Sequence, residues 1–321
     1  MSDSTVENAL GHRQLGSTAA RLALPAISVV LCTRNRADSL ARCLTSWEKV
    51  QTTEAWELVV INNGSVDHTS ALLQDLVARA KLPLIIGSEI RPGLSQARNA
   101  GLRYARGSIV CFTDDDCYPD VAFIDAWLQV FRDPNIDYAG GRIELFDLSD
   151  ADVTIKTDPE SRIIPPRSFV KPGFLHGASL AFRRKVIEQV GQFNPLLGAG
   201  ARFKSGEDCD YVQRASELGF VGLYTPRPVV WHHHGRKIND VPLLMRGYDV
   251  GRGAFYAGIL SRRPGILKQV IVADFKQSAS LFRYLRSLVR RGRDRFPLRW
   301  WDMARGAFQF ATLSAFRAVR R

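Results

Sequence analysis

Ser108-Ile109-Val110-Cys111-Phe112-Thr113-Asp114-Asp115-Asp116 runs from an apolar, β-branched stretch straight into three consecutive carboxylates. The apolar part reads as a buried strand, so the acids fall where that strand stops. Three carboxylates in one loop repel one another and raise their own pKa values, a cost that a hard divalent cation preferring oxygen ligands offsets. A solvated acidic turn is the competing account, and the triplet alone does not separate the two.

The preceding residues repeat one unit. Ile27-Ser28-Val29-Val30-Leu31-Cys32 leads into polar Thr33-Arg34-Asn35-Arg36 and then a helical pattern through Leu40, Leu44 and Trp47. Glu57-Leu58-Val59-Val60-Ile61 leads into Asn62-Asn63-Gly64-Ser65 and a helix from Thr69 to Ala80. A weaker strand, Pro83 to Ile86, is followed by a helix from Ser95 to Arg106. Strands alternating with helices of this length make βαβ units and a mainly parallel sheet covered on both faces. In such sheets ligands bind at the carboxyl ends of the strands. Three polar loops, including the acidic triplet, converge on that edge.

Beyond the triplet the pattern loosens. Residues 136–172 read as irregular, with Pro159, Pro165 and Pro166, and a loop of this length reads as a lid or specificity element. Phe174 to Phe182 reads as a strand interrupted by Gly177, and Arg184 to Val190 as a short helix stopped by Gly191. Ser205-Gly206-Glu207-Asp208 opens another helix, where acids at the first turn suit the helix dipole whether or not they do chemistry. Two short strands, Gly222 to Tyr224 and Val229 to Trp231, deliver His232-His233-His234. An imidazole there can complete a carboxylate metal shell or serve as a polar turn.

The chain has 321 residues with 45% apolar content, enough for one large domain or a domain with an elaborated tail. Five cysteines, without a C-x-x-C pair, point to a reduced, cytoplasmic setting. Residues 1–24 read as an N-terminal extension without a signal sequence, and no run is long enough for a spanning helix. From Arg236 onward 19 Lys and Arg face five acids, a net +14, which leaves −2 for the rest of a chain of formal charge +12. Apolar residues Leu267, Val270, Ile271, Phe275, Leu281, Phe282, Leu285 and Val289 follow a helical stripe, and Trp300, Trp301 and Phe308 continue among arginines. Such helices fit an anionic membrane surface or pack on the rest of the chain. No RNA or DNA module is visible, so nucleic acid is not the expected partner.

Taken in order, these blocks resemble the family 2 glycosyltransferases, inverting enzymes that use nucleotide-sugar donors. The resemblance covers about Ile27 to His234. It rests on Val29 to Arg36, Val60 to Asp67, Gly93 to Gly101, Phe112 to Asp116, Gly206 to Asp210, and Val230 to His233, which look like the family's ordered motifs, DxD element included. It implies an α/β fold of the GT-A (Rossmann-like) type: a mixed, mainly parallel sheet flanked by helices, with a C-terminal helical basic extension. The implied domain spans 25–237, with a nucleotide-binding half at 25–120 and an acceptor half at 121–237, and 238–321 as the extension.

The resemblance further implies nucleotide-sugar contacts at Thr33, Arg34, Asn35, Asn62, Arg98, Asp114 and Asp115. It implies metal ligation of Mn2+ or Mg2+ by Asp116 and His232, acceptor-side roles for Glu207, His176 and Gly177, and Asp208 as general base. The family usually carries an acid where this chain has Asn62; the amide keeps an acceptor but loses charge, which leaves the donor open among UDP, GDP and dTDP sugars. The implied acceptor is a cell-envelope glycan or lipid-linked saccharide, met in the cytoplasm or peripherally on the inner face of the membrane. Two other classes compete. A nicotinamide-dependent oxidoreductase lacks its G-x-G-x-x-G turn after the first strand. A non-catalytic membrane- or nucleic-acid-associated protein would leave the acidic triplet unused.

Overall fold

A computed structural model describes residues 14–15, 24–272 and 296–319. Its first half is the expected βα alternation. After β1 (Gln14–Leu15) come β2 (Ile27–Thr33), α1 (Ala37–Trp47), β3 (Trp56–Asn62), α2 (Thr69–Arg79), β4 (Leu84–Ser88), α3 (Leu94–Tyr104) and β5 (Ile109–Asp114). Strands β4, β3, β2 and β5 lie side by side and parallel, and β1 pairs antiparallel on the outer edge of β4. Side chains alternate between two cores, as a sheet covered on both faces requires. Val29, Leu31, Leu58, Val60 and Cys111 pack with Leu40, Leu44, Trp47 and Leu73 of α1 and α2. Val30, Val59, Ile61, Val110 and Phe112 pack on the other face with Ala97 and Ala100 of α3. Each fully buried Leu, Ile or Phe contributes about 1.5–3 kcal/mol, so a slip of one residue in any strand would exchange the two cores at large expense.

The second half adds β6 (Cys117–Pro119), α4 (Phe123–Val130), β7 (Tyr138–Leu145), β8 (Arg162–Ile164), β9 (Leu180–Arg183), α5 (Arg184–Val190), α6 (Glu207–Glu217) and β10 (Gly222–His232). Among the described residues the ten-stranded sheet has the order β1-β4-β3-β2-β5-β9-β7-β10-β6, with β8 pairing β10. Strand β9 is antiparallel to both β5 and β7, which makes the sheet mixed.

Three expectations change here. Residues 136–172 are not irregular throughout, because β7 crosses the middle of the sheet. It carries a Gly140-Gly141 pair in mid-strand, where a Cβ on Gly140 would stand 2.5 Å from Leu175 Cδ2 and one on Gly141 2.3 Å from Ser179 Oγ. The glycines make room for the neighbouring segment. Residues 174–179 are not strand, since only Leu180–Arg183 pair in the sheet and Ser179 N–H bonds the carbonyl of His176 in a turn. The two short strands at 222–231 are one, β10, with a bulge between Tyr224 and Val229.

The chain then enters α7 (Val241–Arg262), a 3-10 turn (Pro264–Ile266) and, after an interval, α8 (Phe296–Val319). Of the expected stripe, Val270 is buried and Leu267 and Ile271 exposed, while Phe275, Leu281, Phe282, Leu285 and Val289 lie outside the described residues. Helices α7 and α8 meet through glycines: a Cβ on Gly253 would fall 1.9 Å from Met303 O, and one on Gly306 2.1 Å from Val250 O. Helix α7 also docks on α6, where Arg262 pairs with Asp210 and Glu217. Among the described residues no helix is long and apolar enough to cross a membrane.

Candidate active site

The carboxyl ends of β2 and β5, the turn before β9, the start of α6, the end of β10 and one face of α7 enclose a cavity of about 1060 Å³. Thr33, Arg34, Arg98 and all three aspartates of the triplet line it, as do His176, Gly177, Glu207, Asp208 and His232. Asn35 and Asn62 do not. Asn35, at φ 53°, accepts the Val66 N–H at 2.7 Å, while Asn62 accepts the Ser65 N–H at 3.0 Å and donates to Ser70. Both brace the loops behind the cavity wall. Asn63 lines the cavity instead, its amide donating to the carbonyls of Glu89 and Arg91 and accepting the Gly93 N–H that precedes α3.

Two arginines and a histidine face the triplet. Arg36 reaches across α1's entry so that Nη1 lies 2.8 Å from Asp115 Oδ1 and Nη2 2.8 Å from Asp116 Oδ2. His232 Nε2 lies 3.2 Å from Asp116 Oδ1, and Arg98 Nη2 3.4 Å from Asp114 Oδ1. Register delivers the histidine, because β10 pairs with β6 so that His232 sits opposite Cys117, one residue past Asp116. The other histidines point elsewhere: His233 Nδ1 is 2.9 Å from the Tyr118 hydroxyl, and His234 Nδ1 is 3.7 Å from Asp150.

The three aspartates differ sharply as acids. Burial raises Asp115 to about 7 despite Arg36 and the 2.7 Å hydrogen bond from Thr33. Burial also raises Asp114, against the pull of Arg98. For Asp116 burial acts in the same direction, but His232 and Arg36 outweigh it and hold the carboxyl well below the usual range. Of the three, Asp116 is the one whose ionised form its neighbours favour most.

Arg98 is buried between Asp114 and Glu207, with Nη1 3.0 Å from Glu207 Oε1. Burial opposes its charge, yet Glu207 and Asp114 keep its pKa raised. Its guanidinium also explains Gly177: a Cβ there would stand 2.5 Å from Arg98 Nη2. The Gly177 N–H donates to Asp208 Oδ2 at 2.9 Å, while Asp208 Oδ1 accepts the Cys209 N–H at 2.7 Å. One Asp208 oxygen is thus aimed by the turn beside Arg98. Burial, followed by the charge of Asp208, lifts Glu207 to about 7 against the pull of Arg98. Burial lowers the pKa of His176, favouring a neutral imidazole at the cavity wall.

Asp114, Asp116, Cys117 and His232 bring possible ligand atoms within 4.8 Å of one another. Burial holds the Cys117 thiol far above its ordinary pKa, which leaves two carboxylates and an imidazole. That mixed oxygen and nitrogen set fits Mn2+ or Mg2+. Sequence patterns pass over Arg36 because an arginine in a polar loop carries no spacing signal. They also pass over the α7 face, which reaches the cavity only through tertiary packing.

A model of glycosyl transferase family 2 matches residues 28–191, just over half of the chain. The chain belongs to glycosyl transferase family 2. This family 2 glycosyltransferase is 26% identical over 242 residues to the glycosyltransferase AglE of Haloferax volcanii, covering 74% of this chain and 76% of that one. It is 25% identical over 238 residues to the pre-mycofactocin glycosyltransferase of Mycobacterium tuberculosis, covering 72% of this chain but 46% of that longer protein. In fold it is similar to the mannosyltransferase PcManGT of Pyrobaculum calidifontis, solved with GDP-Man and Mn2+, at a TM-score of 0.55 and 18% identity over 91% of this chain and 87% of the other. Staphylococcus aureus TarS 1-349 with UDP-GlcNAc gives a TM-score of 0.51 at 17% identity over 74% and 72% of the two chains. At these identities the structural likeness establishes the GT-A fold of the family 2 glycosyltransferase.

Proposed function

We propose that the chain transfers a sugar from a nucleoside-diphosphate sugar to an acceptor hydroxyl with inversion, Asp208 acting as general base. The observation carrying this reading is the placement of Asp208 on the same cavity as the acidic triplet, with its carboxylate held by the Gly177 N–H. The donor diphosphate lies at the strand ends, near Thr33, Arg34, Arg98 and Asp114. Asp116 and His232, with Asp114 beside them, would hold a Mn2+ or Mg2+ ion, which would supply positive charge to offset that of the leaving diphosphate. Arg36 holds Asp115 and Asp116 in place, and Asp208 accepts the acceptor's proton. The acceptor oxygen forms a bond to the anomeric carbon as the bond to the diphosphate oxygen breaks, and that electron pair leaves with the nucleoside diphosphate. A single displacement inverts the centre.

The donor is a UDP, GDP or dTDP sugar, and the acceptor a hydroxyl of an envelope glycan or lipid-linked saccharide. The GDP-Man and UDP-GlcNAc carried by the two structural relatives support the donor class. The basic C-terminal segment supports an acceptor met at an anionic membrane surface. The test is a screen of nucleoside diphosphates with Mn2+, followed by turnover of the matching sugar donors. Asp208→Asn is expected to lower turnover roughly 10²–10⁴-fold while nucleotide binding stays. Full activity in that variant would remove Asp208 as the base.

A further inference from the structure

His232 turns both of its ring nitrogens to a neighbour. Nε2 lies 3.2 Å from Asp116 Oδ1, and Nδ1 lies 3.2 Å from the hydroxyl of Thr154, a residue that lines the same cavity. The direction of the second contact follows from the hydroxyl's other bond. Thr154 has one hydroxyl proton, and Oγ1 donates it to the Val153 carbonyl at 2.6 Å. Toward His232 the same oxygen therefore offers only lone pairs, which call for a proton on Nδ1. An imidazole that keeps its proton on Nδ1 leaves Nε2 as the nitrogen able to ligate a cation.

The backbone at Thr154 is strained in making this contact. Its φ is 60°, in the left-handed region where a β-branched side chain is an outlier and glycine or asparagine fits better. The segment between β7 and β8 is tied down on both sides of the strained residue. Before it, the Asp150 carboxylate accepts the Gly235 N–H at 2.8 Å and the Lys237 ammonium at 2.6 Å, and the Ala151 N–H donates to the Arg236 carbonyl at 2.8 Å. After it, Lys156 and Ile143 exchange two backbone hydrogen bonds of 2.9 Å. These ties run to the residues just past His232 and to the strand beside it, since Leu145 of β7 pairs with His232 of β10. Hydroxyl and imidazole are thus carried on one frame. Strain of this kind persists where the surroundings over-determine it, and it gathers at sites that need a fixed geometry.

We propose that Thr154 is a positioning residue for the metal centre: its hydroxyl holds the Nδ1 proton of His232 and so presents Nε2, beside Asp116, as the ligating nitrogen. The assignment rests on the metal reading of Asp116 and His232 and goes beyond it to the residue that sets the ligand's tautomer.

Mn2+ uptake by the full chain, alone and with UDP, GDP or dTDP, followed through the paramagnetic resonance of the free ion, tests it. Thr154→Val keeps the branched shape and removes the hydroxyl, and is expected to weaken Mn2+ binding about 10- to 100-fold. Thr154→Ser keeps the hydroxyl and should restore the parent's affinity, which separates a lost hydrogen bond from a disturbed turn. Unchanged affinity in Thr154→Val would overturn the assignment, and so would an equal loss in Thr154→Ser. A second readout needs no change at position 154. Nitrogen magnetic resonance of the histidine-labelled parent with Mg2+, with the His232 signals identified by their loss in His232→Gln, should find the proton on Nδ1; a bare Nδ1 overturns the tautomer. A parent chain that takes up no Mn2+ under any of these conditions overturns the metal reading itself, whereas uptake indifferent to the hydroxyl overturns the role of Thr154 alone.

Discussion

The two walls of the cavity are held by opposite means. At the strand ends, Asp114, Asp115, Asp116 and Glu207 are clamped by Arg36, Arg98 and His232 over distances of 2.8 to 3.4 Å. On the helical side, α7 is held by backbone approach: a Cβ on Gly251 would stand 2.0 Å from Ser205 Oγ and 2.7 Å from Phe203 O. The first wall depends on charge balance; the second, tied at its far end by the Arg262 ion pairs to α6, depends beside the cavity on missing side chains. The contrast predicts that the walls fail differently.

The largest effect is expected at Arg98. Arg98→Met leaves Asp114 and Glu207 without their shared cation in a buried setting, and loss of one partner from such a cluster costs about 3–5 kcal/mol. Urea denaturation measures it; a loss under 1 kcal/mol would mean that the strand-end wall does not rest on charge balance. Next comes the pH response of Glu207. Its folded pKa of about 7 lies above the ordinary 4.5, so the stability it contributes is full below about pH 4.5 and is lost as pH rises through 7. Glu207→Gln should flatten that loss, a difference of up to about 3 kcal/mol across the window. Melting temperatures of both proteins from pH 4.5 to 8 give the comparison, and parallel curves would sink it. The smallest effect is at Gly251. Ala in a helix interior ordinarily gains about 1 kcal/mol over Gly, but here the clash with the 203–205 loop reverses the sign, and Gly251→Ala should destabilise by about 1–3 kcal/mol. A stabilised variant would dissolve the contrast between the walls.

Much of the strand-end wall is legible in the chain because its signals are local. An apolar run ending in acids, or in Thr33-Arg34, announces a strand and its carboxyl end, and a parallel sheet gathers those ends. Asn62 and Asn63 show where this stops. Two adjacent amides look alike in sequence, and only the pleat decides that Asn63 meets the cavity while Asn62 ties Ser65 to Ser70. The second half is less legible for a different reason. Gly140-Gly141 has turn composition inside a central strand, because its meaning lies in Leu175 and Ser179 more than thirty residues away. Likewise the basic composition after Arg236 announces a charged segment without saying that one face of α7 closes the cavity. Close packing through glycine leaves no periodicity to read.

The bulge of β10, between Tyr224 and Val229, bears on how this protein can change over time. Residues 225–228 contain Pro226 and Pro228 and stand outside the regular ladder, so a residue gained or lost there can be absorbed without moving Val230, Trp231 and His232 from Pro119, Tyr118 and Cys117. The same insertion after Val229 would turn His232 away from Asp116. Drift in chain length is thus tolerated a few residues upstream of the histidine and forbidden beside it.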